Sequence, residues 1–289
     1  MQSIATHLKQ DYNRFAKEIP DNEFEGSTFI GYEDVLKAHY LICDYFENTT
    51  GERSLYGVKN FNLMGSALGR QTVSFGTVVK WTNPLDICAT LFFGLVKNHA
   101  FHDGNKRTAL LTLIYQLSKI GRVPCVNQKR FEKLTVQVAE GSIGELQEFK
   151  KFRSKDDPIV RTISYLLKRY TRKSDKNYYA LTYREFQSKL KQFGCSLKNE
   201  HNGFIDVYAP VTKRRLLGLY QKTETKKVKQ IGFSGWTKQV RLKAVKETLK
   251  ATGLVADNGI DSQVFYKGAE PMYKLIQDFE GPLGRLKDK

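Results

Sequence analysis

The chain has 289 residues, 47 of them basic and 30 acidic, for a net charge of +17. That length supports a sizeable core in one large domain or two ordinary ones, and 40% hydrophobic content excludes a disordered chain. No apolar run reaches the roughly 18 residues of a membrane span, and Met1 to Phe15 has no apolar signal core, so a cytoplasmic protein without membrane contact is expected.

In chain order, Tyr32–Asn48 carries apolar residues at helical spacing, and Asn62–Leu68 suggests a short second helix. Val73–Trp81 is rich in β-branched residues around Gly76, which predicts a flap or short hairpin. A helix follows with strong start signals: Asn83 as N-cap, Pro84 in the first position and Asp86 on the dipole. Its apolar residues cover nearly every face, so it should be central. A second apolar helix runs from about Lys106 to Ile120 and stops at Gly121. Helices near Gln128–Ala139, Ile143–Phe152 and Pro158–Tyr170 complete an all-α domain over 1–170. A linker is expected over 171–180.

The remainder, 181–289, changes character and is the more basic part. Residues 171–289 hold 24 basic and 12 acidic side chains, a net +12 of the total +17. A helix over Tyr183–Phe193, strand-like runs at Gly203–Tyr208, Arg215–Tyr220 and Lys229–Phe233, and a helix over Thr237–Thr252 predict an α-β-β-β-α domain. The expected fold is therefore mainly α, a helical bundle followed by a smaller α+β domain. The cysteines Cys43, Cys88, Cys125 and Cys195 are irregularly spaced, which points to free, mostly buried thiols rather than zinc or disulfides.

Between the two most apolar helices stand His99, His102, Asp103, Gly104, Asn105, Lys106, Arg107 and Thr108. Polar groups placed at a core cost several kcal/mol unless paired, so this cluster predicts a site. The loop leads into a helix N-terminus, which attracts anions. Gly104 permits close backbone approach. Lys106 and Arg107 oppose the dipole of their own helix, and a bound phosphate explains them better than helix stability does. A histidine can take a proton from a hydroxyl nucleophile, and a carboxylate beside phosphates is a natural magnesium ligand.

His99-Ala-Phe-His-Asp-Gly-Asn-Lys-Arg107 resembles the Fic/Doc signature His-x-Phe-x-Asp/Glu-Gly/Ala-Asn-Gly/Lys-Arg, and Tyr56–Leu68 resembles the segment before the flap of Doc (death-on-curing) proteins. The resemblance covers roughly residues 30–140. It implies a fold, the Fic/Doc helical bundle, and a set of roles. His99 would be the general base for a Ser, Thr or Tyr hydroxyl of a target protein, Phe101 a structural anchor, and Asp103 the Mg2+ ligand. Gly104, Asn105, Lys106 and Arg107 would cradle the phosphates of ATP, and Val73–Val79 would align the target strand by edge pairing. Lys106 stands where AMP-transferring members have glycine, and Leu110 where they have a second arginine. Both differences resemble the Doc branch and imply phosphate transfer, with AMP transfer as the alternative. The family's self-inhibitory motif, Ser/Thr-x-x-x-Glu-Gly/Asn, does not occur, which implies a toxin restrained by a separate antitoxin and acting on a target such as a translation component.

The C-terminal element order resembles the double-stranded-RNA-binding fold and, faintly, the HicA toxin. His201 falls near the HicA histidine, although the adjoining glycine and serine are missing. Lys213, Arg214, Arg215, Lys226, Lys227 and Lys229 are the candidate contacts for RNA, ribosome or other nucleic acid. Phe233 and Trp236 are candidates for base stacking. An alternative of another class is a nucleic-acid-binding protein whose helical half is silent.

Overall fold

The computed structural model describes residues 4–20, 28–52, 55–173, 181–215, 220–255, 265 and 271–287, without the side chains of 212–223, 271 and 274. The chain divides into two compact units, 1–174 with 271–289, and 175–270. The last nineteen residues thus return to the helical unit, whereas the sequence reading placed all of 181–289 in one C-terminal domain. The expected linker also starts inside structure, since Thr171–Lys173 is a strand.

The helical unit contains α1 (Thr6–Ala16), α2 (Tyr32–Thr50), α3 (Phe61–Gly69), α4 (Pro84–Asn98), α5 (Asn105–Lys119), α6 (Lys129–Glu140) and α7 (Pro158–Tyr170). Helix α4 is central as expected, with ten of its residues buried. The Asn83 side chain accepts the Leu85 N–H at 2.9 Å, as an N-cap should. Gly94 lets α3 come close, because a β-carbon there would sit 3.0 Å from Ala67 Cα. In α5 every residue from Arg107 to Ile114 is buried. These helices share one core with α2, α6 and α7.

Three features of this unit were not expected. Helix α1 buries Leu8 and Tyr12, one turn apart, in an otherwise polar stretch. Strands β3 (Arg122–Pro124) and β4 (Thr171–Lys173) pair antiparallel. Ile143–Phe152, expected as a helix, forms two 3₁₀ turns, Ser142–Glu145 and Gln147–Lys151. Gly141 and Gly144 lie within or beside that stretch, and only Ile143 of the two turns is buried, so little packing holds a longer helix. The flap exists: β1 (Ser74–Phe75) and β2 (Val78–Val79) form a hairpin around Gly76, whose φ of +61° suits the turn.

The second unit has α8 (Tyr183–Gln192), an antiparallel sheet in the order β5 (Ser196–His201), β6 (Phe204–Arg215), β7 (Tyr220–Gly232), and α9 (Leu242–Ala251). The α-β-β-β-α order is as expected, but the strands are longer and shifted. The first strand is Ser196–His201, a polar run with one inward apolar residue, Leu197, too few to show an alternation. Arg215–Tyr220, read as a strand, joins the end of β6 to the start of β7, and its residues 216–219 lie outside the described set. Leu197, Ile205, Val207, Ala209 and Ile231 alternate onto the face that meets Phe186 and Leu190 of α8 and Val245 and Leu249 of α9.

Two further helices, α10 (Pro271–Asp278) and α11 (Glu280–Arg285), close the helical unit. Met272, Ile276, Phe279, Leu283 and Leu286 are buried in its main core.

Candidate active site

The His99–Arg107 run lies between the end of α4 and the first turn of α5. His99 caps α4 in the left-handed conformation, φ +50° and ψ +52°, with an exposed side chain. That backbone costs an L-residue about 1–2 kcal/mol, and such strain collects where function demands it.

Beyond His99 the chain is laced to residues 57–60. The N–H groups of Lys59 and Asn60 donate to Ala100 O at 2.8 and 3.1 Å, and His102 N–H donates to Gly57 O at 3.2 Å. Phe101 is 3% exposed, an anchor in the core. Asn105 Oδ1 accepts the Phe101 N–H at 2.9 Å, and its Nδ2 donates to Phe101 O at 3.0 Å. The side chain read as part of an anion cradle is thereby used to hold the loop. Gly104, φ +72°, permits the tight entry into α5, whose opening bond runs from Thr108 N–H to Gly104 O at 2.8 Å. Asp103 is half-buried, and its Oδ1 accepts the Gly104 N–H at 2.6 Å. His102 is exposed.

Beneath the loop sits a residue that sequence reasoning missed. His39 of α2 is fully buried and stacks on Phe101, centroids 4.1 Å apart and planes 17° off parallel. Its Nε2 accepts the Gly57 N–H at 3.1 Å, and its Nδ1 lies 3.1 Å from Thr108 Oγ1. Burial, reinforced by nearby His102, pushes the imidazole down to about 3, so it is neutral. The signal was present: a histidine on an apolar helix face has to find partners.

Arg107 is not brought to the mouth of the loop. It is 2% exposed, and its Nε donates to Leu283 O at 2.8 Å. Nη1 and Nη2 donate to the Glu52 carboxylate at 3.2 and 3.4 Å, Nη2 also donates to Gly284 O at 3.3 Å, and the guanidinium lies 4.3 Å from the Phe46 ring centroid. Lys287 reaches Glu52 at 2.8 Å. Burial works against the charged form of Glu52, but hydrogen bonds from Lys287 and Arg107 outweigh it and hold the carboxyl below its ordinary value. Lys106, in the first turn of α5, is half-buried.

The flap presents Phe75, Val78 and Val79 at 69, 67 and 50% exposure, an apolar edge in search of cover. Lys80 pairs with Asp157 at its base and lies 5.0 Å from the Trp81 ring. For a metal, no group of three His, Cys, Asp or Glu residues occurs among the described residues. A magnesium ion needs no such group when it takes a single protein carboxylate, and Asp103 is the carboxylate that this loop could offer one.

The second unit assembles less. His201 is exposed, and its Nδ1 lies 3.2 Å from Asn199 O, with no second catalytic group bonded to it among the described residues. Lys226, Lys227 and Lys229 are each paired, with Glu224 at 3.6 Å, Asp206 at 2.6 Å and Glu247 at 2.9 Å. The side chains of Lys213, Arg214 and Arg215 lie outside the described residues. Phe233 packs edge-on against Tyr183 and Trp236, at 4.9 and 5.2 Å, so the aromatic pair serves packing. Cys43, Cys88 and Cys195 are buried thiols outside any disulfide, and Cys125 is exposed. No helix among the described residues is long and apolar enough to cross a membrane.

Residues 29–117 match the Fic/DOC family, a stretch that runs from just before α2 through the flap and the loop to the end of α5. No curated protein and no solved structure matches the chain.

Proposed function

Residues 29–117 belong to the Fic/Doc (Fido) family, and from that premise we propose that this chain is a Doc-like toxin enzyme that transfers the γ-phosphate of ATP to a hydroxyl side chain of a cytoplasmic target protein. The family assignment supports a transferase acting on proteins. The observation that carries the finer reading is His99: an exposed imidazole held in a strained cap, followed by a short loop that carries Asp103 and a helix whose first turn carries Lys106.

In this reading the β- and γ-phosphates rest on the electropositive start of α5, with Gly104 allowing close approach and Lys106 adding charge. Arg107 stays in its cluster and braces the helix from behind. Asp103 would hold Mg2+, which would supply charge neutralisation on the phosphates. His99 takes the proton of the target Ser, Thr or Tyr hydroxyl. A bond forms from that oxygen to the γ-phosphorus, the bond from phosphorus to the β–γ bridging oxygen breaks, and ADP leaves. The flap edge pairs with the target strand.

Phosphate transfer is preferred to AMP transfer because the site where AMP-transferring members carry a second arginine is Leu110, which is fully buried in hydrocarbon. A separate antitoxin supplies inhibition, since the chain lacks the self-inhibitory motif. Incubation with lysate and ATP labelled in turn at the γ- and α-phosphate tests the reading. Protein label from γ alone supports it, label from α supports AMP transfer, and label from neither overturns both.

A second reading concerns the other unit. Residues 175–270 hold 18 basic and 9 acidic side chains, a net +9. A cleft of about 540 Å³ there is lined by Phe204, Gln239, Arg241 and Lys243 among others. Phe204, Arg241 and Lys243 are exposed. This arrangement suits RNA or a ribosomal surface better than the ion-paired lysines of β7 do. RNA retention by the full chain that weakens steeply with salt and is lost in Arg241→Glu/Lys243→Glu supports it. Unchanged retention overturns it.

A further inference from the structure

His39 is a titratable group that the proposed chemistry does not use, yet three parts of the site converge on it. A backbone N–H can only donate, so the Gly57 contact makes Nε2 the acceptor and leaves the proton on Nδ1. Nδ1–H then donates to Thr108 Oγ1 in the first turn of α5. Gly57 belongs to the segment that pairs with Ala100–His102, and Phe101 lies flat on the imidazole. A β-carbon on Gly104 would come within 4.0 Å of His39 Cε1, so the ring also floors the turn that starts α5.

We propose that His39 is a positioning residue: its single tautomer joins the segment under the loop to the first turn of α5, and so sets the spacing between His99 and the phosphate-binding helix start. It touches no substrate. The geometry explains why a histidine serves. Phenylalanine keeps the stack but neither hydrogen bond. Asparagine places an N–H near Nδ1, and glutamine places an oxygen near Nε2, so each restores one bond of the two.

The inference rests on the transferase reading only for its activity readout, and the test separates the two. Full-length wild type, His39→Phe, His39→Asn and His39→Gln are compared below their melting temperatures, with turnover expressed per folded molecule. One measurement is amide exchange at Lys59, Asn60 and His102, and the other is label transfer from ATP. His39→Phe is expected to fold, to exchange those three amides about five- to tenfold faster as both hydrogen bonds are lost, and to lose turnover about 10²-fold. His39→Asn or His39→Gln should recover part of both. Nitrogen-15 imidazole spectra of the wild type should show His39 neutral with Nδ1 protonated.

Wild-type exchange in folded His39→Phe, or the Nε2-protonated tautomer, overturns the inference whatever the activity. Loosened amides with unchanged turnover overturn the positioning role. If wild type transfers no label, the transferase reading fails, and exchange and tautomer alone decide whether His39 sets the loop.

Discussion

Asn105 holds Phe101 by both of its backbone polar groups, accepting its N–H at 2.9 Å and donating to its carbonyl at 3.0 Å. The two residues are four apart, so this clamp bends Phe101–Asn105 into a closed turn and sets where α5 starts. Asn105→Ala strands both backbone groups in a buried place, at a cost of about 1–3 kcal/mol. Asn105→Asp keeps the acceptor and loses the donor. Urea unfolding should order the three as wild type, Asp, Ala, and nucleotide affinity should fall in the same order.

His99→Gly separates catalysis from stability. Glycine suits φ +50°, so the variant should lose transfer activity by about 10²–10⁴-fold while gaining up to about 1 kcal/mol from relief of the strained cap. Label transfer and thermal melting check the two halves. Retained activity removes His99 from its role as base.

Arg107 serves architecture in this structure. Its cluster joins α5 to Glu52 and to the carbonyls of α11. Arg107→Ala should destabilise the protein by about 3 kcal/mol, since Glu52 keeps only Lys287. Deletion of residues 271–289 removes five buried apolar side chains, worth on the order of 10 kcal/mol together. That equals the whole stability of an ordinary domain, so the helical unit should not fold without them. Circular dichroism of the truncated chain tests this.

The same cluster predicts an acid response. The folded-state value of Glu52 lies below its unfolded value, so its stabilisation is complete above about pH 4.5 and is lost as pH falls through the lowered folded value. Glu52→Gln should therefore be less stable than wild type near neutral pH, with a gap that narrows below pH 4.5. A gap that widens on acidification sinks the assignment.

The flap should matter to the protein target alone. Phe75, Val78 and Val79 are exposed, so a triple change to serine should leave stability within about 0.5 kcal/mol per site. Protein modification should drop while nucleotide binding by calorimetry stays as in wild type.

The lengths of α4 and α5, the cap at Asn83, the flap around Gly76 and the position of the loop were all legible in the chain. Each depends on neighbours a few residues away: apolar spacing, a side-chain oxygen before a helix, a glycine at a turn. Helix α1 and strand β5 escaped because each buries so few residues that its pattern drowns in polar ones. The 3₁₀ turns at 142–151 escaped because apolar spacing there suggested a helix that the packing does not support.

Local chemistry, then, determined that His99, Asp103 and Lys106 fall within eight residues around one helix start, since a capped apolar helix ends just before them and another begins among them. Long-range packing decided the rest. Arg107 directly follows Lys106 in sequence, yet its guanidinium meets carbonyls 176 and 177 residues away, and His39 reaches Thr108 across 69. No periodicity encodes which distant partner a buried polar group will find. That follows from how the core closes, because each such group must be satisfied where packing leaves it.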